Sequence, residues 1–323
     1  MGREMLKLGI IGAGIMGERM LRAALEHAPD VASVSGVWDA APEAVARVGA
    51  ALPEGARAGS ASEVFDAADC VYIATPPASH LGYAEQALAA GKAVFLEKPL
   101  AIDVEAASAF ARRYADERVA VNFPFASSLA VERLRTWIDE GAIAAPRSFA
   151  IEVGFAAWPR PWQQAAASWL AAPGEGGFTR EVVSHFLFLS RRLLGPLQLA
   201  SSAVAYDGGG TERVVEAQLE AGAVPGRLRG AVGETTKDDT NSWMVQGTGA
   251  IRLRDWSIAE REQPDGSWVA DPDAMPNETA RPLVLRRQLE QVASMTRGEP
   301  HRLARLYEAY EVQVVVERIL LGP

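Results

Sequence analysis

Leu6-Lys7-Leu8-Gly9-Ile10-Ile11-Gly12-Ala13-Gly14-Ile15-Met16-Gly17 is the stretch on which the fold turns. Leu8 to Ile11 is an apolar run of strand length, and Glu18 to Leu25 carries a helical pattern. Between them Gly12, Gly14 and Gly17 stand at G-x-G-x-x-G spacing. Such a loop needs glycine for a tight turn, for close approach of a pyrophosphate, and for packing of helix on strand. Ile15 and Met16 lie in this loop, just before the helix, whose N-terminal backbone N–H groups lack helical partners and whose dipole end is positive. A strand, this loop and a helix in that order imply a dinucleotide site.

Outward from this stretch, strand and helix patterns alternate. Ser33 to Trp38 reads as a strand ending at Asp39, and Pro42 to Val48 as a helix with proline in its first turn. Cys70 to Ile73 is a short apolar strand running into Thr75-Pro76-Pro77. Ser79 is placed to cap a helix from His80 to Ala90. Ala93 to Leu96 is a strand followed by Glu97-Lys98-Pro99; Asp103 to Tyr114 is helical; Val119 to Val121 ends at Asn122. Repeated β-α-β units of this kind predict a parallel, doubly wound Rossmann sheet over residues 1–122.

Past Asn122 the pattern changes. Leu129 to Glu140 reads as a helix and Ser148 to Phe155 as a strand, before a loop rich in proline and tryptophan from Trp158 to Pro173. Gly176-Gly177 precedes a helix from Thr179 to Leu194. From Leu197 to Val269, strand-like runs alternate with turns at Asp207-Gly208, Gly222, Gly247 and Asp265-Gly266. Residues 123–323 therefore read as a second, α/β domain with a large open, mainly antiparallel sheet. Pro272 to Pro282 reads as a loop, and two helices close the chain. Helices cover one face of the sheet; exposed apolar positions on the other imply a homodimer or homotetramer.

Composition narrows the partners. At 323 residues the chain has room for about two domains. A net charge of −9 argues against nucleic acid and against an anionic membrane surface. A single cysteine, Cys70, excludes an internal disulfide. No leader is read before Leu6 and no apolar run spans a bilayer, so a cytoplasmic protein is expected. No metal-ligand spacing is read.

Several polar residues fall at strand ends, where ligands bind in such sheets. Asp39 lies 22 residues after Gly17 and can accept hydrogen bonds from an adenosine ribose. It would repel a 2′-phosphate: like charges about 4 Å apart cost about 4 kcal/mol at an effective dielectric of about 20. The sign favours NAD over NADP. Thr75 and Pro76 present backbone to the cofactor, and His80, Glu97, Lys98 and Asn122 complete the rim of candidates. Only four lysines occur in the chain, and Lys98 directly follows a buried strand, placed to give or take a proton. Glu181 and His185 share one face of a helix at i,i+4, and imidazole suits general base work near neutrality. Trp158, Trp162 and Trp169 could face the apolar side of a sugar.

The glycine loop, Thr75-Pro76, Glu97-Lys98-Pro99 and the G-G-x-x-x-E-x-x-x-H run from Gly176 to His185 together resemble the Gfo/Idh/MocA oxidoreductases, which include glucose–fructose oxidoreductase and inositol dehydrogenase. The resemblance implies hydride transfer between nicotinamide and a secondary alcohol or carbonyl of a polyol, cyclitol or sugar. It also implies catalytic roles for Lys98, which hydrogen-bonds the reacting oxygen, and His185. Glu181 stands where the family usually has aspartate, Pro77 where asparagine is common, and Asn122 to Ala126 lacks the family's frequent arginine. A non-catalytic NAD-binding regulator and a redox-neutral enzyme using held NAD, such as a glycosidase, are the alternatives.

Overall fold

The computed structural model describes residues 4–206, 208 and 210–322; Asp207, half of one expected turn, lies outside them. The chain forms two compact units. The first takes the N-terminal stretch through Ser127 together with Pro282–Tyr310, and the second takes Ser128–Arg281 with the stretch from Glu311 onward.

In the first unit β1 (Leu6–Ile11), β2 (Ala32–Trp38), β3 (Cys70–Ile73), β4 (Ala93–Leu96) and β5 (Val119–Val121) form one sheet in the order β2-β1-β3-β4-β5. Every pair is parallel. All residues of β3 and β4 are buried, as expected of strands covered by helices on both faces. The order reverses at β1, so the ligand crevice of this sheet lies outside the carboxyl ends of β1 and β3. A single cut after Asn122 does not describe this unit. Leu285, Leu289 and Val292, at helical spacing on Asn277–Thr296, join Leu8, Ile10, Tyr72 and Phe95 in one apolar core. Chain order carries no signal for that return. That helix also begins inside the expected loop and holds Pro282, where one backbone hydrogen bond is forgone.

The second unit is built on an eight-stranded sheet of β6 (Ser148–Phe155), β7 (Leu197–Tyr206), β8 (Glu212–Ala221), β9 (Val224–Val232), β10 (Thr240–Gln246), β11 (Ala250–Arg254), β12 (Ile258–Glu262) and β13 (Trp268–Ala270). Their order is β13-β12-β11-β10-β6-β9-β8-β7, antiparallel except for the pair β6–β9. Side chains alternate along β8 and β9: Val215, Ala217, Leu219 and Leu228 are buried, Glu216, Gln218, Glu220, Arg227 and Arg229 exposed. The helix Ser184–Leu194 lies against the sheet, and Trp243 Nε1 on β10 donates to its Ser190 Oγ at 2.9 Å. Among the described residues the expected apolar outer face is not found on β8 and β9, whose outward side chains are mostly polar. Arg227 pairs with Glu152 at 3.1 Å and Arg229 with Glu216 at 3.6 Å across it. The argument for a homodimer or homotetramer from uncovered apolar area falls with it. No helix among the described residues is long and apolar enough to cross a membrane.

Candidate active site

The glycine loop shows why each glycine is needed. Gly12 sits at φ +97°, and a Cβ there would lie 2.6 Å from the Ala74 carbonyl carbon. A Cβ on Gly17 would collide with the Gly12 carbonyl oxygen. A Cβ on Gly14 would meet nothing within 4 Å. The outer two glycines are thus closed against protein, and the middle one faces open space at the N-terminus of the helix Ile15–Arg22, which has no side-chain cap. That is the opening a pyrophosphate requires.

Asp39 is tied into this loop. Its Oδ2 accepts from Ala13 N at 2.7 Å and its Oδ1 from Ala41 N at 2.8 Å. The carboxylate therefore holds the loop while keeping lone pairs for ribose hydroxyls. Sequence reasoning misses Arg47, on the helix Pro42–Val48, whose Nη2 donates to Ala13 O at 3.1 Å.

Ser79 does not cap the following helix: its Oγ donates to Thr75 Oγ1 at 2.8 Å, and its backbone ends a short 3₁₀ turn. His80, 1% exposed, places Nε2 2.7 Å from Thr75 O and Nδ1 2.8 Å from Pro99 O. Carbonyl oxygens only accept, so each of these contacts is a hydrogen bond where the ring nitrogen carries a proton. Its observed work is to clamp the loop after β3 to the loop after β4.

Glu97, also buried, accepts from the Tyr72 hydroxyl and from Asn122 Nδ2 at 2.7 Å. Asn122 Oδ1 in turn accepts from Gln288 Nε2 at 2.6 Å. The Asn122 amide is thus spent inside the unit at both ends. Burial first, and then the Glu97 carboxylate, push the Tyr72 phenol well above its ordinary value. Lys98 follows Glu97 directly and is half-buried. Neither Tyr72 nor Gln288 is singled out by the sequence.

In the second unit the stretch expected as one regular helix has two parts. Thr179–Val183 is a π-helix and Ser184–Leu194 an α-helix. Glu181 and His185 flank the junction, half-buried in a segment whose neighbours Val182, Val183, Ser184 and Phe186 are buried. Single π turns of this kind recur at functional sites. Gly176-Gly177 serves close packing within the chain: a Cβ on Gly176 would collide with the Leu170 carbonyl, and one on Gly177 with Glu212. Glu212 Oε1 accepts from Thr179 N at 2.6 Å, capping the π-helix.

Burial raises the Glu212 carboxyl above its usual range, ahead of the lowering from Thr179. A folded-state value above the unfolded one means stability present at low pH and lost as pH rises through the folded value. Glu212→Gln, which keeps an acceptor for Thr179, should therefore lose nothing above neutrality and flatten this part of the pH dependence. Urea midpoints of both proteins at acid and neutral pH check this; a variant weaker at neutral pH than at acid pH, relative to wild type, contradicts it.

Arg160, buried, donates from Nη1 to Asp239 Oδ2 at 2.8 Å and from Nε to Gln163 Oε1 at 3.1 Å. Its guanidinium lies 4.7 Å from the Trp162 ring centre and 5.5 Å from that of Trp158. Burial lowers the guanidinium, opposed by Asp239 and Glu181. Two of the three loop tryptophans thus flank a cation, and Trp162 stays 47% exposed. Trp169 is half-buried in the helix Ala167–Leu170. The His185 ring meets Trp256 edge-on, with centres 5.9 Å apart. Arg160, Asp239 and Trp256 come from distant segments and are not legible as a group in sequence.

The model of the Gfo/Idh/MocA family, described as an oxidoreductase family with an NAD-binding Rossmann fold, matches residues 6–123. Inositol 2-dehydrogenase of Acidiphilium cryptum is 38% identical over 33% of this chain and 35% of its own length. Inositol 2-dehydrogenase of Rhizobium meliloti is 28% identical over 62% of this chain and 58% of its own length. The match thus spans less than two thirds of either relative. The structure of an inositol dehydrogenase homologue from Azotobacter vinelandii complexed with NAD⁺ has the same fold, with a TM-score of 0.82, 17% identity, and coverage of 98% of this chain and 95% of that one. Over residues 6–123 the chain is thus similar to the NAD-binding Rossmann domain of the Gfo/Idh/MocA oxidoreductases, and over nearly its whole length it shares the fold of that inositol dehydrogenase homologue.

Proposed function

We propose that the protein is an NAD(H)-dependent dehydrogenase acting on a CH–OH group, or the corresponding carbonyl, of a polyol, cyclitol or sugar derivative. The observation that carries this is Lys98. It is a half-buried ammonium at the carboxyl end of β4, between a buried carboxylate and a backbone carbonyl gripped by His80, in the same sheet as the glycine loop. Such a group donates a hydrogen bond to a reacting oxygen and stabilises negative charge that builds on it. His185 takes the hydroxyl proton in the oxidation direction, and Glu181 orients His185 or holds a second hydroxyl. Bound NAD supplies the hydride acceptor. Two relatives that are inositol 2-dehydrogenases support a cyclitol or similar polyol.

Absorbance at about 340 nm with NAD⁺ and NADP⁺, over polyols, cyclitols, sugars and their keto forms, tests this reading. NADH formation supports it. Bound NAD with no turnover of any panel member favours a regulator, and substrate conversion without net NADH favours a redox-neutral enzyme.

The cofactor preference has its own test. Asp39 brings a negative charge to the ribose end of the site and holds Ala13 N, so wild type should bind NAD more tightly than NADP. Asp39→Ala should weaken NAD by about tenfold to a hundredfold, the worth of a charge-assisted hydrogen bond, and narrow the gap to NADP. Calorimetric titration of both cofactors checks it; tighter NADP binding by wild type overturns it.

A further inference from the structure

The hairpin turn between β11 and β12 breaks a rule of turn chemistry. Arg254 pairs with Ile258 across it, and the residues between include Asp255 at φ 50° and Trp256 at φ 69°. Two successive left-handed residues at a hairpin call for Asn-Gly or Asp-Gly, because a Cβ crowds the following carbonyl there. Here the glycine position holds the bulkiest side chain. Strain kept at a specific residue points to work done by that residue.

The contacts show what the work is. Trp256 N donates to Asn241 Oδ1 at 2.8 Å, holding the strained backbone. Trp256 Nε1 donates to Asp239 Oδ2 at 3.0 Å, which fixes the tilt of the indole. Asp239 is itself held by Arg160 Nη1 at 2.8 Å and by Asn241 Nδ2 at 2.7 Å. The indole then packs on Phe186, with ring centres 5.2 Å apart, and stands at 75° to the imidazole of His185. Charged groups around this cluster include Glu181 on the His185 segment, Arg160 and Asp239 from the loops beside β10, Arg281, and Asp255 with Arg254 at the turn itself. Resting on the reading of His185 as the base, we propose that Trp256 is a positioning residue for His185, and that Asp239 sets its indole. Trp256 holds the imidazole in one orientation; Asp239, shared between Trp256 and Arg160, holds the indole.

Nuclear magnetic resonance of the histidine rings tests this on the intact protein. The chain has four histidines, and His185→Ala identifies the signal of that ring. In Asp239→Asn neither Trp256 nor His185 changes, yet the side chain loses its charge and one of its two acceptors: Oδ2 takes both the indole and the guanidinium and Oδ1 takes the Asn241 amide, and a carboxamide cannot accept at both places. The His185 ring proton should lose part of its indole ring-current shift, and its titration midpoint should move. Trp256→Phe, a second route should the first variant fold poorly, should move the same midpoint. With the fastest panel substrate, both variants should lower kcat by about tenfold to a hundredfold, the scale of a small misplacement, with KM and NAD affinity little changed. His185 shifts and midpoints equal to wild type in both variants overturn the positioning role. Undiminished kcat in His185→Ala overturns the base reading instead, and leaves the ring-proton result to stand by itself.

Discussion

Lys98→Met and His185→Ala should each lower kcat by about 10²–10⁴-fold, the range for a positioned acid or base, and leave the Kd for NAD near wild type. Lys98 stands on a rigid base. Glu97 is fixed by Tyr72 and Asn122, and the carbonyl of Pro99 is gripped by His80. Methionine keeps the stem and removes the ammonium without disturbing that base. His185 lies on a helix anchored by buried Phe186, Leu187, Leu189 and Ser190, so its truncation leaves the backbone in place. Neither residue belongs to the Gly12–Gly17 loop or touches Asp39, hence the unchanged cofactor affinity. If both serve one oxygen, the double variant should lose less than the product of the single losses. Steady-state rates for the three variants, with NAD titrations alongside, settle it. A His185→Ala enzyme that keeps full kcat from about pH 6 to about pH 9 contradicts the base assignment and leaves Lys98 or Glu181 in that role.

What the sequence makes legible is what local spacing encodes. Gly12, Gly14 and Gly17 stand at a fixed local spacing, with Gly17 closed by the Gly12 carbonyl and Gly14 left open, and Asp39 follows by one β-α-β length. Lys98 shows itself as a charge at the end of an apolar run. Side-chain partnerships across the fold leave no such trace. Gln288 reaches Asn122 from 166 residues away, and Arg160 reaches Asp239 from 79. The π turn before His185 is equally silent, because one extra residue in a helical turn alters hydrogen bonding without altering the apolar pattern. The outer face of the large sheet is a different case. Glu216, Gln218 and Glu220 alternate with Val215, Ala217 and Leu219, a polar-out pattern written in the sequence. Inferring an uncovered apolar face from sheet topology alone overrides that pattern.

Glu97→Ala should destabilise the protein by about 2–5 kcal/mol, because it strips an acceptor from two buried donors at about 1–3 kcal/mol each. Tyr72 is fully buried and Asn122 is 1% exposed, so water does not replace the lost carboxylate cheaply. Tyr72→Phe alone removes one donor from a buried carboxylate and should cost about 1–3 kcal/mol. Adding Tyr72→Phe to Glu97→Ala should then cost little or even restore stability, since it removes the orphaned hydroxyl. Of these two buried donors, Asn122 Nδ2 would remain short of its first partner, and it lies 3.3 Å from the Tyr72 oxygen that the change deletes. Urea unfolding of wild type, both single variants and the double variant supplies the cycle. A packing role for Glu97 would make the two losses add, because deleting a methylene stem and deleting a hydroxyl are independent volume changes. A hydrogen-bond role makes them cancel in part. Lys98 is the next residue in the chain, so loosening the Glu97 anchor should also lower kcat at temperatures where the protein is still folded, and additive unfolding losses with unchanged kcat would refute the network.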